Sequence, residues 1–184
     1  MGQLLDAFSA ALPDNAHIDW IYCYEMLPQP CDDCGYCRDR DGCCKDDLQN
    51  FYPLLESADV LVFATPVHNL SFSAPLKALI DRTQCYWSAR FCRGIRPPII
   101  RAKRTILLTS AGSEDPSAGM MVERQLLPAL TILNARLIAS IHYSGADVGS
   151  PLRSALADAR GAAASLFESP ADKPSDPAGS CLTP

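Results

Sequence analysis

The sequence has no run of basic residues. Its 16 lysines and arginines and 21 acids are scattered over 184 residues for a net charge of −5. Without a basic stripe, contacts to the phosphates of nucleic acid have no footing. Long apolar runs are missing too: Val60–Ala64 and Ile106–Thr109 are the longest of consequence, far below the roughly 20 residues of a membrane span. The N-terminus carries neither a charged n-region nor an apolar h-region, so no signal peptide is expected and the protein is expected to be cytoplasmic.

What the chain has is cysteine: nine in all, five of them between Cys31 and Cys44. A chain of this length buries a full core without disulfides, and no export signal takes it to an oxidising compartment. The crowding therefore reads as ligation or redox chemistry.

Hydrophobic periodicity orders the rest. Leu4, Leu5, Phe8 and Leu12 repeat at helical spacing. His17–Tyr24 is rich in aromatic and β-branched residues and predicts a strand centred on Ile18–Tyr22. Pro28, Pro30 and the cysteines then predict a loop, followed by a helix from Asp46 with Leu48, Phe51, Leu54 and Leu55 as its stripe. Val60–Ala64, Thr105–Thr109 and Leu137–Ile141 read as strands buried on both faces. Helices are expected over Ala74–Thr83, Met120–Leu133 and Pro151–Leu166, and an irregular connection around Pro97 and Pro98. Strands alternating with helices predict an α/β doubly wound parallel sheet in one domain, 1–168, with a disordered tail, 169–184. In such sheets ligands sit beyond the carboxyl ends of the strands, which points to the loops after Ala64 and Thr109.

Cys31, Cys34, Cys37 and Cys43 form C-x2-C-x2-C-x5-C, with Cys44 as an alternative fourth ligand. Thiolates at every third residue can converge on the irons of a cubane, as in bacterial ferredoxin runs. Structural zinc sites usually pair two C-x2-C knuckles a dozen or more residues apart, a separation missing here. A 4Fe-4S cluster, zinc, and an empty or thiol-redox loop all remain open. Cys23, Cys85 and Cys92 read as small buried hydrophobes, and Trp20, Tyr86 and Trp87 as packing or subunit contacts.

The segment Thr65-Pro66-Val67-His68-Asn69-Leu70-Ser71-Phe72-Ser73-Ala74-Pro75-Leu76-Lys77-Ala78-Leu79-Ile80-Asp81-Arg82 resembles the loop and helix of the NAD(P)H-dependent FMN reductase and iron-sulfur flavoprotein families. The cysteine spacing followed by Lys45, Asp46 and Asp47 extends the resemblance over most of the chain. It implies a flavodoxin-like fold, FMN as cofactor, NAD(P)H as co-substrate, and dimers or tetramers. It also implies that Pro66, Val67, His68, Asn69 and Ser71 wrap the isoalloxazine edge, with His68 in place of the usual tyrosine. Thr109, Ser110, Ala111 and Gly112 would let backbone amides approach the pyrimidine ring. The plain alternative makes His68 and Asn69 polar loop residues and Lys77, Asp81 and Arg82 a solvated helix face.

Two functions follow. One is an FMN-dependent oxidoreductase passing electrons between NAD(P)H or a ferredoxin-like donor and an acceptor, through a 4Fe-4S cluster where one is bound. The other is a non-catalytic flavodoxin-like module with a zinc-bound or empty cysteine loop. The resemblance also implies a central first strand and a Gly-Ser-x-Arg phosphate loop, for which Met1, Gly2 and Gln3 leave no room before the first helix. The expectation is a natural protein longer by roughly 15 to 20 residues, with Ile18–Tyr22 either shifted onto Val60–Ala64 or left across a gap.

Overall fold

A computed structural model describes residues 1–168; the tail at 169–184 lies outside the described residues. Along the chain run α1 (Gly2–Ser9), α2 (Cys23–Met26), α3 (Tyr36–Asp39), α4 (Phe51–Ser57), β1 (Val60–Pro66), α5 (Ala74–Asp81), α6 (Gln84–Phe91), β2 (Lys103–Ser110), α7 (Ser117–Ile132), β3 (Ala135–Tyr143) and α8 (Arg153–Glu168).

The three strands form one parallel sheet in the order β1-β2-β3. β2 is the middle strand, and its Ile106, Leu107 and Leu108 are fully buried. Period-two alternation splits those side chains between the two faces. Ile106 and Leu108 meet Leu4 and Phe8 of α1 and Ala159, Ala163 and Leu166 of α8. Leu107 meets Leu76, Leu79 and Ile80 of α5 and Val122, Leu126 and Leu130 of α7. A helix layer therefore covers each face, the three-layer arrangement that near-continuous apolar strands require.

The expected strand at Ile18–Tyr22 does not form. The segment joins no ladder, while β1 pairs with β2 alone. The aromatic and β-branched composition that suggests a strand comes with no buried face: Ile21 packs against the α5 and α7 core, while Ile18, Trp20 and Tyr22 are 40%, 45% and 55% exposed. A strand is completed only by a partner about 4.8 Å away, and here none is adjacent. Of the two expected outcomes, a shift onto β1 is not the one adopted.

Two boundary corrections matter for the site. The second predicted helix starts at Phe51, not Asp46; Leu48 is fully buried from a turn, and Leu54 is exposed. The connection after Asp81 is less irregular than expected, because α6 occupies Gln84–Phe91.

Candidate functional site

The carboxyl ends of β1 and β2 bring the two expected loops together. Val67 donates its backbone N–H to the Ser110 carbonyl at 2.8 Å, which ties the turn after β1 to the turn after β2. Thr65 and Ser73 close the first loop at its base, the Ser73 N–H donating to Thr65 Oγ1 at 3.3 Å. At its tip His68 and Ser71 exchange backbone hydrogen bonds across Asn69 and Leu70, both with positive φ (51° and 59°). That is the geometry of a two-residue I′ turn, which asparagine tolerates and leucine does not favour.

His68 and Asn69 are exposed, and Pro66, Val67 and Ser71 half-buried. Gln125 of α7 secures the tip, accepting from Ser71 Oγ at 2.8 Å and donating to the Leu70 carbonyl at 2.8 Å. The sequence reading did not find Gln125. It lies 54 residues from Ser71, and only the crossover helix brings it there.

In the second loop Ala111 donates to the Tyr143 carbonyl at 2.7 Å, and Asp147 donates its N–H to the Gly112 carbonyl at 3.1 Å. Gly112 lies so close to Asp147 that a Cβ would fall 2.1 Å from its carboxylate. Thr109 is buried and spends its hydroxyl on His142 Nδ1 at 2.8 Å, while His142 Nε2 faces Glu123 Oε2 at 3.3 Å. The backbone N–H groups of Asn69 and Gly112 find no acceptor among the described residues. The same holds for Leu70, Phe72 and Ser113, so both loops keep backbone donors without a protein acceptor among the described residues.

The cysteines gather elsewhere, against α6. Cys31, Cys34, Cys37, Cys43 and Cys44 line one pocket, joined by Cys85 from α6, which is buried as the sequence predicts and also reaches the pocket wall. Cys34 and Cys44 bring their sulfurs to 3.3 Å, and Cys37 Sγ lies 3.3 Å from Ser88 Oγ. Hydrogen bonding to Cys34, then burial and neighbouring thiols, pushes the Cys44 thiol up to about 11. Burial, then Cys37 and Cys43, pushes Cys85 up to about 12. Such mutual inhibition of ionisation is what thiols show when several share one small space.

Among the described residues no three His, Cys, Asp or Glu side chains converge closely enough for a single metal ion. Thiolates around one zinc would stand roughly 3.8 Å apart, from Zn–S bonds of about 2.3 Å.

Two arginines hold the cysteine loop. Arg82, just beyond α5, is 1% exposed, not part of a solvated face. Its Nη1 donates to the Gln29 carbonyl at 2.9 Å and to Asp47 Oδ1 at 2.8 Å, and its Nη2 to the Lys45 carbonyl at 3.2 Å. One guanidinium thus fastens both feet of the loop. Burial opposes its charge, but Asp47, Tyr52 and Cys43 more than offset that and hold it protonated. Arg93 fastens the middle, donating to the carbonyls of Cys37 and Arg40. α5 carries the Pro66–Ser73 loop at its start and Arg82 at its end, a rise of about 12 Å for eight residues.

Comparison with known proteins agrees with this architecture. The chain is 31% identical over 122 residues to an iron-sulfur flavoprotein of Archaeoglobus fulgidus, covering 66% of this chain and 58% of that protein. It is 44% identical over 78 residues to an iron-sulfur flavoprotein of Methanosarcina thermophila, covering 42% and 41%. The matches therefore span between two fifths and three fifths of these curated relatives. Among solved structures, an NAD(P)H:quinone oxidoreductase from Methanothermobacter marburgensis superimposes with a TM-score of 0.67 at 19% identity, covering 94% of this chain and 91% of that one. An FMN-dependent NADH-azoreductase from Bacillus anthracis, in complex with FMN, gives 0.56 at 15% identity, covering 90% and 88%. Both likenesses establish the flavodoxin-like fold. The sequence model of the NADPH-dependent FMN reductase family matches residues 2–147, and the chain belongs to that family.

Proposed function

We propose that the protein is an FMN-dependent oxidoreductase that moves electrons between NAD(P)H or a ferredoxin-like donor and an acceptor, with a 4Fe-4S cluster in its cysteine pocket. The observation that carries this reading is the hydrogen bond from Val67 to Ser110. It sets the two family loops side by side at the carboxyl edge of the sheet, where a doubly wound fold binds its ligand.

FMN would lie along Pro66, Val67, His68 and Asn69 on one side and Ser110, Ala111 and Gly112 on the other. When bound it supplies hydride chemistry and links two-electron to one-electron partners. The chain's own part is to position and polarise. The free N–H groups of Asn69 and Gly112 suit carbonyl oxygens of a flavin ring, and Gln125 keeps the first loop in shape. Thr109, with its hydroxyl engaged by His142, supports the second loop from within.

For the cluster, the fit rests on the donor set. A cubane is held by cysteine thiolates, and its span suits thiols arrayed around a pocket better than thiols closed on one ion. Cys31, Cys34, Cys37 and Cys43 are the proposed ligands, and the clamps from Arg82 and Arg93 hold their loop ready. The two curated relatives carry the name iron-sulfur flavoprotein, which supports the same choice. We further read residues 1–168 as one FMN-binding domain of a cytoplasmic homodimer or homotetramer.

The test is anaerobic purification followed by reconstitution with FMN, iron and sulfide. Flavin absorption, about four irons per chain and oxidation of NADH or NADPH with a quinone or azo acceptor are expected. Cys34→Ser should abolish iron binding and leave flavin binding in place. A protein that binds neither flavin nor iron would overturn the proposal in favour of a non-catalytic module.

A further inference from the structure

Arg82 engages both terminal nitrogens, Nη1 with two acceptors and Nη2 with one, and leaves Nε without a partner, although that atom is buried. A buried donor with no acceptor is costly, and an orphan of this kind in a native fold asks for the group that would satisfy it. The guanidinium stands in the wall of the pocket that Cys31, Cys34, Cys37, Cys43 and Cys85 line.

Clamping the loop does not require that atom. The three acceptors that fix the loop's two ends are all taken by Nη1 and Nη2. A lysine could satisfy two carbonyls from a buried site, as Lys103 does with Glu56 and Ala58 at 2.8 and 2.9 Å. What arginine adds is a further, rigidly directed N–H on a side chain that stays charged when buried.

We propose that the Arg82 Nε–H is held for a sulfur of the cluster bound in this pocket, making Arg82 the positioning residue that raises the cluster's reduction potential. This rests on the cluster reading above. Hydrogen bonds to cluster sulfurs, and a positive charge beside them, stabilise the reduced form, which carries one more negative charge.

The experiment uses full-length protein reconstituted with iron and sulfide and then reduced. Wild type labelled with 15N in its arginine guanidinium groups is examined by pulsed EPR, and midpoint potentials are measured by dye-mediated titration. The expected result is a weak 15N coupling in wild type that is lost in Arg82→Lys and kept in Arg38→Lys and Arg93→Lys. Arg82→Lys should also shift the potential to a more negative value. Arg101→Lys, at an arginine paired with Asp59 outside the pocket, should leave the potential in place.

Absence of the coupling in wild type that holds its iron would overturn the Arg82 assignment alone. So would a potential shift of equal size in Arg101→Lys. If Arg82→Lys cannot retain iron, the coupling in wild type, Arg38→Lys and Arg93→Lys still decides. A wild type that takes up no iron defeats the cluster reading itself, and the assignment with it.

Discussion

Asp47 and Arg82 lie 35 positions apart in the sequence and 2.8 Å apart in the fold, joined by Arg82 Nη1 donating to Asp47 Oδ1. Asp47 Oδ2 accepts the Gln29 N–H at 2.8 Å, so one carboxylate ties the entry of the cysteine loop to its exit. Removing it leaves a buried guanidinium without its counter-charge. Breaking such a pair typically costs 3–5 kcal/mol. Because Arg82 keeps two carbonyl partners, Asp47→Ala is expected to lower the unfolding free energy by about 3 kcal/mol in urea titrations. Asp47→Asn, which preserves a hydrogen bond, should cost roughly half as much. A loss below about 1 kcal/mol for Asp47→Ala would show that the clamp is not structural.

The same pair fixes a pH dependence. Burial works to raise the Asp47 pKa, but the Gln29 amide and the Arg82 guanidinium prevail and hold it below the usual carboxylate range. A group depressed in the folded state contributes stability that is fully present above its unfolded pKa, about 3.9. It is lost as pH falls through the depressed folded value. The stability difference between wild type and Asp47→Asn should therefore stay constant from about pH 7 to pH 5 and shrink only below about pH 4. Unfolding curves at half-unit pH steps check this; a difference that fades between pH 5 and 7 contradicts it.

The contrast between Arg82 and its neighbours shows what the sequence could and could not reveal. Lys77, Asp81 and Arg82 look alike as a charged helix end. Lys77 and Asp81 form the expected half-exposed i,i+4 pair at 2.6 Å, whereas Arg82 is buried by a loop that joins it from far along the chain. Periodicity reports the faces of one element, not what another element lays over it. The same limit hid Cys85 and Ser88, whose place depends on α6, a helix with no clean apolar stripe. The three sheet strands were readable because their apolar runs carry the signal alone. Ile18–Tyr22 carried the pattern of a strand as well, but strand formation also needs a partner in the sheet. His142 could have been suspected from its place near the carboxyl end of β3, level with Thr109.

Leu70 occupies a left-handed conformation at the tip of the first loop, with φ of 59°. A non-glycine residue there costs about 1–2 kcal/mol, while glycine costs roughly 0.5–1 kcal/mol in unfolded-chain entropy. The side chain is nearly half exposed, so little burial is lost. Leu70→Gly creates the favoured Asn-Gly pair and should raise stability by about 0.5 kcal/mol, or about 1–2 °C in melting temperature. Differential scanning calorimetry decides; a fall of more than about 2 °C would mean that Leu70 packs where the conformational argument gives it no role.

Gly119 gives the sharpest sign test. Early in α7, replacing glycine by alanine would ordinarily stabilise the helix, by up to about 1 kcal/mol. Here a Cβ would lie 2.4 Å from both Cγ and Nδ1 of His142 and 2.7 Å from its Cβ. The far end of a flexible side chain could swing away, but this ring is held on both sides, by Thr109 Oγ1 at 2.8 Å and Glu123 Oε2 at 3.3 Å. Moving it would strand the hydroxyl of the buried Thr109. Overpacking of this kind costs about 1–3 kcal/mol, and the lost hydrogen bond adds about 1 kcal/mol. The penalty exceeds the helix gain, so Gly119→Ala should destabilise the protein by about 2 kcal/mol. In a His142→Gly background both the ring and the Cβ that a residue at 119 would meet are gone, and only the helix preference remains. The same substitution should then stabilise, by about 0.5–1 kcal/mol. Urea unfolding of the four proteins of this double-mutant cycle checks the reversal. An effect of the same sign in both backgrounds would rule out His142 as the neighbour that makes glycine necessary at position 119.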